Sequence, residues 1–342
     1  MKPLVSILIP AYNAEACISD SLRSAIAQTW ERKEIIVVDD GSTDRTLEVA
    51  RQFESDKLKV VTQKNQGASA TRNNAFSMSK GDYVQWLDAD DLMAPDKTTK
   101  QMEVAERSES RRTLVSGAWA RFMHRPHRAK FYPSVLWQDL QPAEWLMRKM
   151  EQNTYMQTAT WLVSRELAEA AGQWDTRLLG DDDGEFFCRV LLASDGVRFV
   201  RESKIYYRES GSSSLSYIGN SNRKLEAQWL SMQLHIGYLR SLVDDQRSRA
   251  ACVTYIQNWM FFFYPERLDI FRQAEELARS LGGELTIPAL SWKYSWLDTV
   301  FNHSLAKRAQ VVLPRIKWSV IRCLDKTLFQ FENRNAAGGL GR

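Results

Sequence analysis

The first 90 residues alternate between two hydrophobic periods, and few architectures accommodate that alternation. Leu4–Ile9 is an unbroken aliphatic run, and Glu15–Gln28 then places Ile18, Leu22 and Ile26 at helical spacing. A second apolar run, Glu34–Asp39, precedes a helix expected to be capped by Ser42 or Thr43, with Leu47, Val49 and Ala50 as its apolar face. Leu58–Thr62 reads as a strand, Ala68–Met78 as a helix and Asp82–Leu87 as a strand. Strands that are apolar throughout must be covered on both faces. Alternating with helices across short polar joints, they predict βαβ units and a mainly parallel sheet flanked by helices.

Beyond residue 95 the alternation loosens. Pro95–Ser108 reads as a helix, Thr113–Phe122 as a strand and Ala143–Glu151 as a short helix. Thr158–Val163 is expected as a strand, Arg165–Ala171 as a helical turn and Glu185–Ala193 as a helix, before strands at Val197–Val200 and Lys204–Arg208. Gly211-Ser-Ser-Ser214 has linker composition. The remainder of the chain is helical in pattern: Leu225–Leu242, Ala250–Phe263, Leu268–Leu281 and Ile316–Phe331. The expected organisation is a domain over 1–212, divided near 95, and a helical C-terminal domain over 213–342.

With 44% hydrophobic and 26% charged residues, the chain is neither disordered nor fibrous. A net charge of +4 is too mild to point to nucleic acid. The charge is uneven, however: residues 301–342 hold eight Lys and Arg against two Asp and Glu. Cys17, Cys188, Cys252 and Cys323 lie far apart, which suits neither a zinc site nor a disulfide framework and fits a reducing, cytoplasmic setting. The apolar run at Leu4–Pro10 is shorter than a signal peptide needs.

In parallel α/β sheets, ligands bind outside the carboxyl ends of the strands. Those ends carry Pro10-Ala-Tyr-Asn13, Asp39-Asp-Gly-Ser-Thr-Asp44, Asn65-Gln-Gly67 and Asp88-Ala-Asp-Asp91. Ser42, Thr43 and Asp44 suit helix capping. Convergence of Asp39, Asp88, Asp90 and Asp91 asks for more, because clustered carboxylates repel one another unless a cation compensates. Hard oxygen ligands suit Mg²⁺ or Mn²⁺, and such an ion suits a diphosphate. The first strand is followed by neither G-x-G-x-x-G nor a P-loop, which argues against a dinucleotide oxidoreductase and a P-loop nucleotidase.

The runs VSILIPAYNAEACISDSL, EIIVVDDGSTDRT, NQGASATRNNAF and GDYVQWLDADD, in this order over residues 4 to about 210, resemble family 2 of the inverting glycosyltransferases. The resemblance implies a GT-A fold and a nucleotide-diphospho-sugar donor, with UDP expected. It implies that Pro10, Ala11 and Tyr12 line the base pocket, with Asn13, Gly67 and Ala89 alongside, and that Asp39 accepts from the base. Arg72 would lie near base and diphosphate, Asp88 at the ribose and Asp90 on the metal, with Asp91 in support. Counting back from Arg189, the family's Glu-Asp pair falls on Asp182 and Asp183, and Asp183 becomes the expected general base. The additional Asp181 leaves Asp182 as the alternative base. Trp161 and Trp174 are acceptor-side candidates for stacking on a sugar, although core packing is the commoner fate of such a side chain. Glu209 follows Arg208 where many members of that family have a His nearby.

The implied setting is bacterial cell-surface polysaccharide or glycolipid synthesis, with a saccharide or lipid-linked saccharide as acceptor. Rival readings are a nucleotidyltransferase on a similar sheet and a catalytically inactive binding subunit. A phosphate-binding Gly-rich loop is missing for the first, and Asp90 with Asp183 argues against the second. In the basic tail, Ile316, Val320, Leu324 and Phe331 share one side of a helix, while Arg315, Arg322 and Lys326 gather opposite. A helix of this kind packs on its own domain or lies on an anionic membrane surface, here the inner face of the cell membrane.

Overall fold

The structure is a computed structural model that describes residues 2–209, 221–288, 291, 293 and 303–338. The expected linker Gly211–Ser214, and with it the expected boundary at 212/213, lies outside the described residues. The βαβ alternation produces a five-stranded sheet. Strands β1 (Val5–Ala11), β2 (Lys33–Asp39), β3 (Leu58–Thr62) and β4 (Tyr83–Trp86) run parallel in the order β3-β2-β1-β4. Between them lie α1 (Ile18–Ile26), α2 (Thr46–Arg51) and α3 (Ala68–Met78). Burial on both faces follows from the aliphatic runs: Ile7, Leu8, Ile9, Val37 and Val38 have no exposed surface.

The second half departs from simple alternation. A two-residue strand that the sequence pattern does not reveal, β5 (Leu92–Met93), is followed by α4 (Lys97–Arg107), β6 (Thr113–Phe122) and α5 (Pro142–Glu151). Of the stretch expected as a strand over Thr158–Val163, Val163 joins the two-residue strand β7 (Val163–Ser164), antiparallel to β4, and Leu162 makes an isolated bridge to Val115. Thr158–Thr160 instead makes a 3-10 turn because Gln157 satisfies its backbone locally, its side-chain oxygen accepting from Ala159 N at 2.6 Å. Helices α6 (Arg165–Ala171) and α7 (Asp182–Ala193) come next. The two strands expected near 197–208 are one, β8 (Gly196–Arg208), parallel to β6 with a register shift at Gly117/Ala118, and β5-β8-β6 form a second sheet.

Helices α8 (Asn222–Leu242), α9 (Gln246–Phe263) and α10 (Leu268–Ser280) extend the core of the sheet layer. One buried cluster runs from Leu8, Val84 and Trp86 through Phe186 and Phe187 to Met232, Tyr255 and Ile270. The last helix, α11 (His303–Gly338), is far longer than the expected Ile316–Phe331 and carries Pro314 within it.

Candidate active site

Parallel pairing of Ala11 with Asp39, and of Leu8 with Trp86, brings the ends of β1, β2 and β4 to one edge. Pro10 is half-buried, Ala11 is buried, and the Tyr12 ring is 51% exposed beside them. Asn13 adopts a left-handed φ of 48°, which Asn tolerates better than most residues. Its amide donates to Ser42 Oγ at 3.0 Å, and its Oδ1 accepts from Thr43 N at 2.8 Å. Ser42 and Thr43 thus staple two strand-end loops rather than cap α2. The N-cap position of α2 is Arg45, whose side chain makes no capping bond, and Asp44 just before it satisfies the first helical amide, its Oδ1 accepting from Thr46 N at 2.9 Å.

The Asp39-Asp40 doublet divides its work. Asp39 is buried, and its Oδ2 accepts from Thr62 Oγ1 at 2.9 Å. Asp40, which the sequence pattern does not single out, accepts from Gln63 Nε2 at 2.8 Å, Gln66 N at 2.9 Å and Gly67 N at 2.8 Å. It thereby fixes the loop that opens α3. Gly67 sits there at φ 89°, a conformation strained for any residue with a Cβ.

Arg72, on the second turn of α3, ties the two halves of the site together. One nitrogen of its guanidinium meets Asp88 Oδ1 at 2.9 Å and the other meets Asp182 Oδ2 at 2.6 Å. The guanidinium lies over the Trp174 ring at 4.5 Å, while its buried Nε has no partner among the described residues. Asp88 and Asp90 are partly exposed, with Ala89 buried between them. Asp91 has no exposed surface and accepts from Arg208 N at 2.8 Å and from Gln157 Nε2. Burial, reinforced by the charges of Asp90 and Asp88, holds Asp91 well above the usual carboxylate range. Arg208 also donates to the Asp90 carbonyl at 2.8 Å, so the end of β8 braces the Asp88–Asp91 loop.

The start of α7 supplies the opposing acids. Asp181 takes a left-handed φ of 56° and faces α8, accepting from Ser231 Oγ at 2.6 Å. A side chain at Gly184 would collide with Asp181 Oδ1 and push that carboxylate off Ser231. Asp182 is held by Arg72 and by Ser69 Oγ at 2.9 Å. Asp183 accepts from Thr158 Oγ1 at 3.0 Å and Gly184 N at 2.9 Å. Burial, with Asp182 and Asp181 beside it, pushes the Asp183 carboxyl up to about 7. A carboxyl at that value exchanges a proton near neutrality. The Asp181-Asp182-Asp183 run is therefore sorted: Asp181 anchors to α8, Asp182 to Arg72, and Asp183 is poised for proton transfer.

Trp161 and Trp174 call for a correction. They are 1% and 3% exposed, Trp161 stacked on Phe187 at 5.3 Å and Trp174 on Phe186 at 4.2 Å. Neither offers a ring face to a sugar, and Trp174 instead supports Arg72 from below. The exposed aromatic on this side is Tyr155, 42% exposed, packed on Trp119 at 5.2 Å and bonded through its hydroxyl to Arg121 at 2.9 Å. Its phenol feels the Asp183 charge. Tyr155 stands three residues before Thr158, whose hydroxyl donates to Asp183 at 3.0 Å, and that link to α7 is invisible in the sequence.

Among the described residues, no three His, Cys, Asp or Glu side chains group as a self-sufficient metal site. Magnesium sites completed by substrate phosphates use only one or two carboxylates, which is the set that Asp88 and Asp90 offer. The donor chemistry fits a hard divalent cation.

Residues 6–170 match the family model described as glycosyl transferase family 2. The chain carries a family 2 glycosyltransferase domain. An uncharacterized glycosyltransferase of Haemophilus influenzae is 41% identical over 104 residues, 29% of this chain and 41% of that protein. The putative teichuronic acid biosynthesis glycosyltransferase TuaG of Bacillus subtilis is 42% identical over 111 residues, 31% of this chain and 44% of TuaG. The chain thus spans less than half of either relative. S. aureus TarS 1-349, solved in complex with UDP-GlcNAc, superposes with a TM-score of 0.64 at 16% identity over 90% of this chain and 91% of that one. The glycosyltransferase domain has the GT-A fold, a mainly parallel sheet flanked by helices and followed by a helical C-terminal region.

Proposed function

We propose that the chain moves a sugar from a UDP-sugar to an acceptor hydroxyl by direct displacement with inversion, in cell-surface polysaccharide synthesis. The observation that carries this reading is the Arg72 bridge. It holds a donor-side acid, Asp88, and the acid beside the base, Asp182, at 2.9 and 2.6 Å on one guanidinium. The similar proteins add support: TuaG is named for teichuronic acid biosynthesis, and TarS was solved with UDP-GlcNAc.

Pro10, Ala11, Tyr12, Asn13, Asp39 and Gly67 form the wall for the base, and Asp88 and Ala89 the floor under ribose. Asp90, with Asp88 beside it, would hold the divalent ion, whose charge would offset that gathering on the diphosphate as it leaves. Arg72 contributes a fixed positive charge at the same place. Asp183 takes the proton of the acceptor hydroxyl as that oxygen bonds to the anomeric carbon. The bond from that carbon to the diphosphate oxygen breaks, and UDP leaves with the electron pair. One base suffices because no covalent intermediate forms, whereas a retaining hydrolase needs a second carboxylate as nucleophile. Tyr155, in place of the buried tryptophans, is the surface on which the acceptor stacks.

Calorimetry with UDP tests the donor side. Binding is expected with Mn²⁺ or Mg²⁺ and strongly reduced in chelator; equal binding in both removes the metal role of Asp90. Asp90→Asn should abolish the difference between the two conditions.

A further inference from the structure

One side of α11 is apolar and uncovered. Leu313, Ile316, Val320, Leu324, Leu328 and Phe331 are 51, 56, 56, 60, 47 and 59% exposed. At helical spacing they fall within a sector of about 120° and extend for about 27 Å. Leu313 and Leu324, like Val320 and Phe331, are eleven residues apart. That period keeps a stripe on one side of a nearly straight helix.

The stripe is not the side by which α11 meets the rest of the chain. Asp325 accepts from His124 N at 2.9 Å and Arg125 Nε at 2.8 Å, and Glu332 accepts from Arg125 Nη1 at 2.9 Å. Phe329 lies against His124 at 6.3 Å. These residues form a neighbouring side of the helix, so a polar seam docks α11 while the apolar stripe faces away.

The seam also decides the charge that remains outside. Over 303–338 the acids are Asp325 and Glu332, and both are bound to Arg125. Arg308, Lys317 and Lys326 are exposed. A second copy of the chain would set two cation-rich helices against each other, whereas an anionic surface answers both the stripe and the charge. No described helix is long and apolar enough to cross a membrane, so the partner must be met in the plane of its surface.

We propose that α11 docks the protein on an anionic lipid bilayer, with the Leu313–Phe331 stripe in the headgroup–acyl boundary and the basic side chains among the phosphates. This goes beyond the sugar-transfer reading and does not depend on it.

The test is co-sedimentation of the full chain with vesicles of phosphatidylcholine alone and of phosphatidylcholine with about 30 mol% phosphatidylglycerol. Partitioning should be at least ~10-fold higher on the anionic vesicles and should fall steeply in about 1 M salt. The variant Val320→Glu/Leu324→Glu should lose the binding while melting at the wild-type temperature, since both positions are exposed. Arg308→Glu/Lys326→Glu, two positions on the side of the helix away from the stripe, should lose the preference for anionic lipid. A chain that stays in the supernatant with both vesicles overturns the proposal, as does a Val320→Glu/Leu324→Glu variant that binds like wild type. Equal binding to both vesicles overturns the anionic specificity. A dimer in sedimentation velocity that this variant converts to monomer, without vesicle binding, makes the stripe a subunit interface instead.

Discussion

Asp40 and Asp183 stand on opposite rims of one site and show what a carboxylate's surroundings make of it. On the rim proposed to hold the donor, Asp40 accepts from two backbone amides and a side-chain amide, and serves as a brace for the loop before α3. On the rim proposed to hold the acceptor, Asp183 stands in a run of acids at the start of α7, where burial and like charge raise its carboxyl to about 7. Both belong to acidic runs that look alike in sequence. What distinguishes them is the supply of N–H donors: where it is full, the acid is structural, and where other acids crowd in, it becomes reactive. Arg72 spans the gap between the rims.

That contrast can be broken in graded steps. Asp183→Asn should lower transfer by about 10³-fold while leaving UDP affinity within error in calorimetry, because a general base acts on the acceptor and not on the donor. Comparable losses in both would place Asp183 on the donor rim. Arg72→Ala should damage both rims at once. It leaves Asp88 and Asp182 facing each other without a cation, at a cost of about 3 kcal/mol readable as a shifted denaturant midpoint, together with weaker UDP binding. Tyr155→Ala should raise the acceptor KM roughly tenfold with UDP affinity unchanged, and Tyr155→Phe should keep most of the stacking. The smallest effect is expected for Asp181→Asn. It removes a negative neighbour of Asp183, so the acidic limb of the rate profile should move to lower pH while the plateau rate is kept.

The two rims are also unequally legible in sequence. Strands β1 to β4 and α3 can be read because a sheet buried on both faces demands unbroken aliphatic runs, and the joints between such runs are the strand ends where ligands bind. The acceptor rim resists such reading. Gln157 turns an apparent strand into a 3-10 turn through one side-chain bond, and Trp161 and Trp174 look like sugar platforms until Phe186 and Phe187 are seen stacked on them. Tyr155 gains its place only when α7 packs beside Thr158. The same holds for α11, where the amphipathic pattern is plain in sequence but the side that docks is chosen by Arg125, 200 residues away from Asp325.

If Asp183, held up near 7, is the base, the pH dependence of kcat measures it most directly. Below that value Asp183 carries its proton and cannot take one from the acceptor, so kcat should climb tenfold per pH unit at low pH and level off above about 7. Asp183→Asn should remove this limb, leaving a low and flat profile. A wild-type profile already flat from about pH 5 to 8, or a limb that survives in Asp183→Asn, would contradict the assignment and move the base to another group.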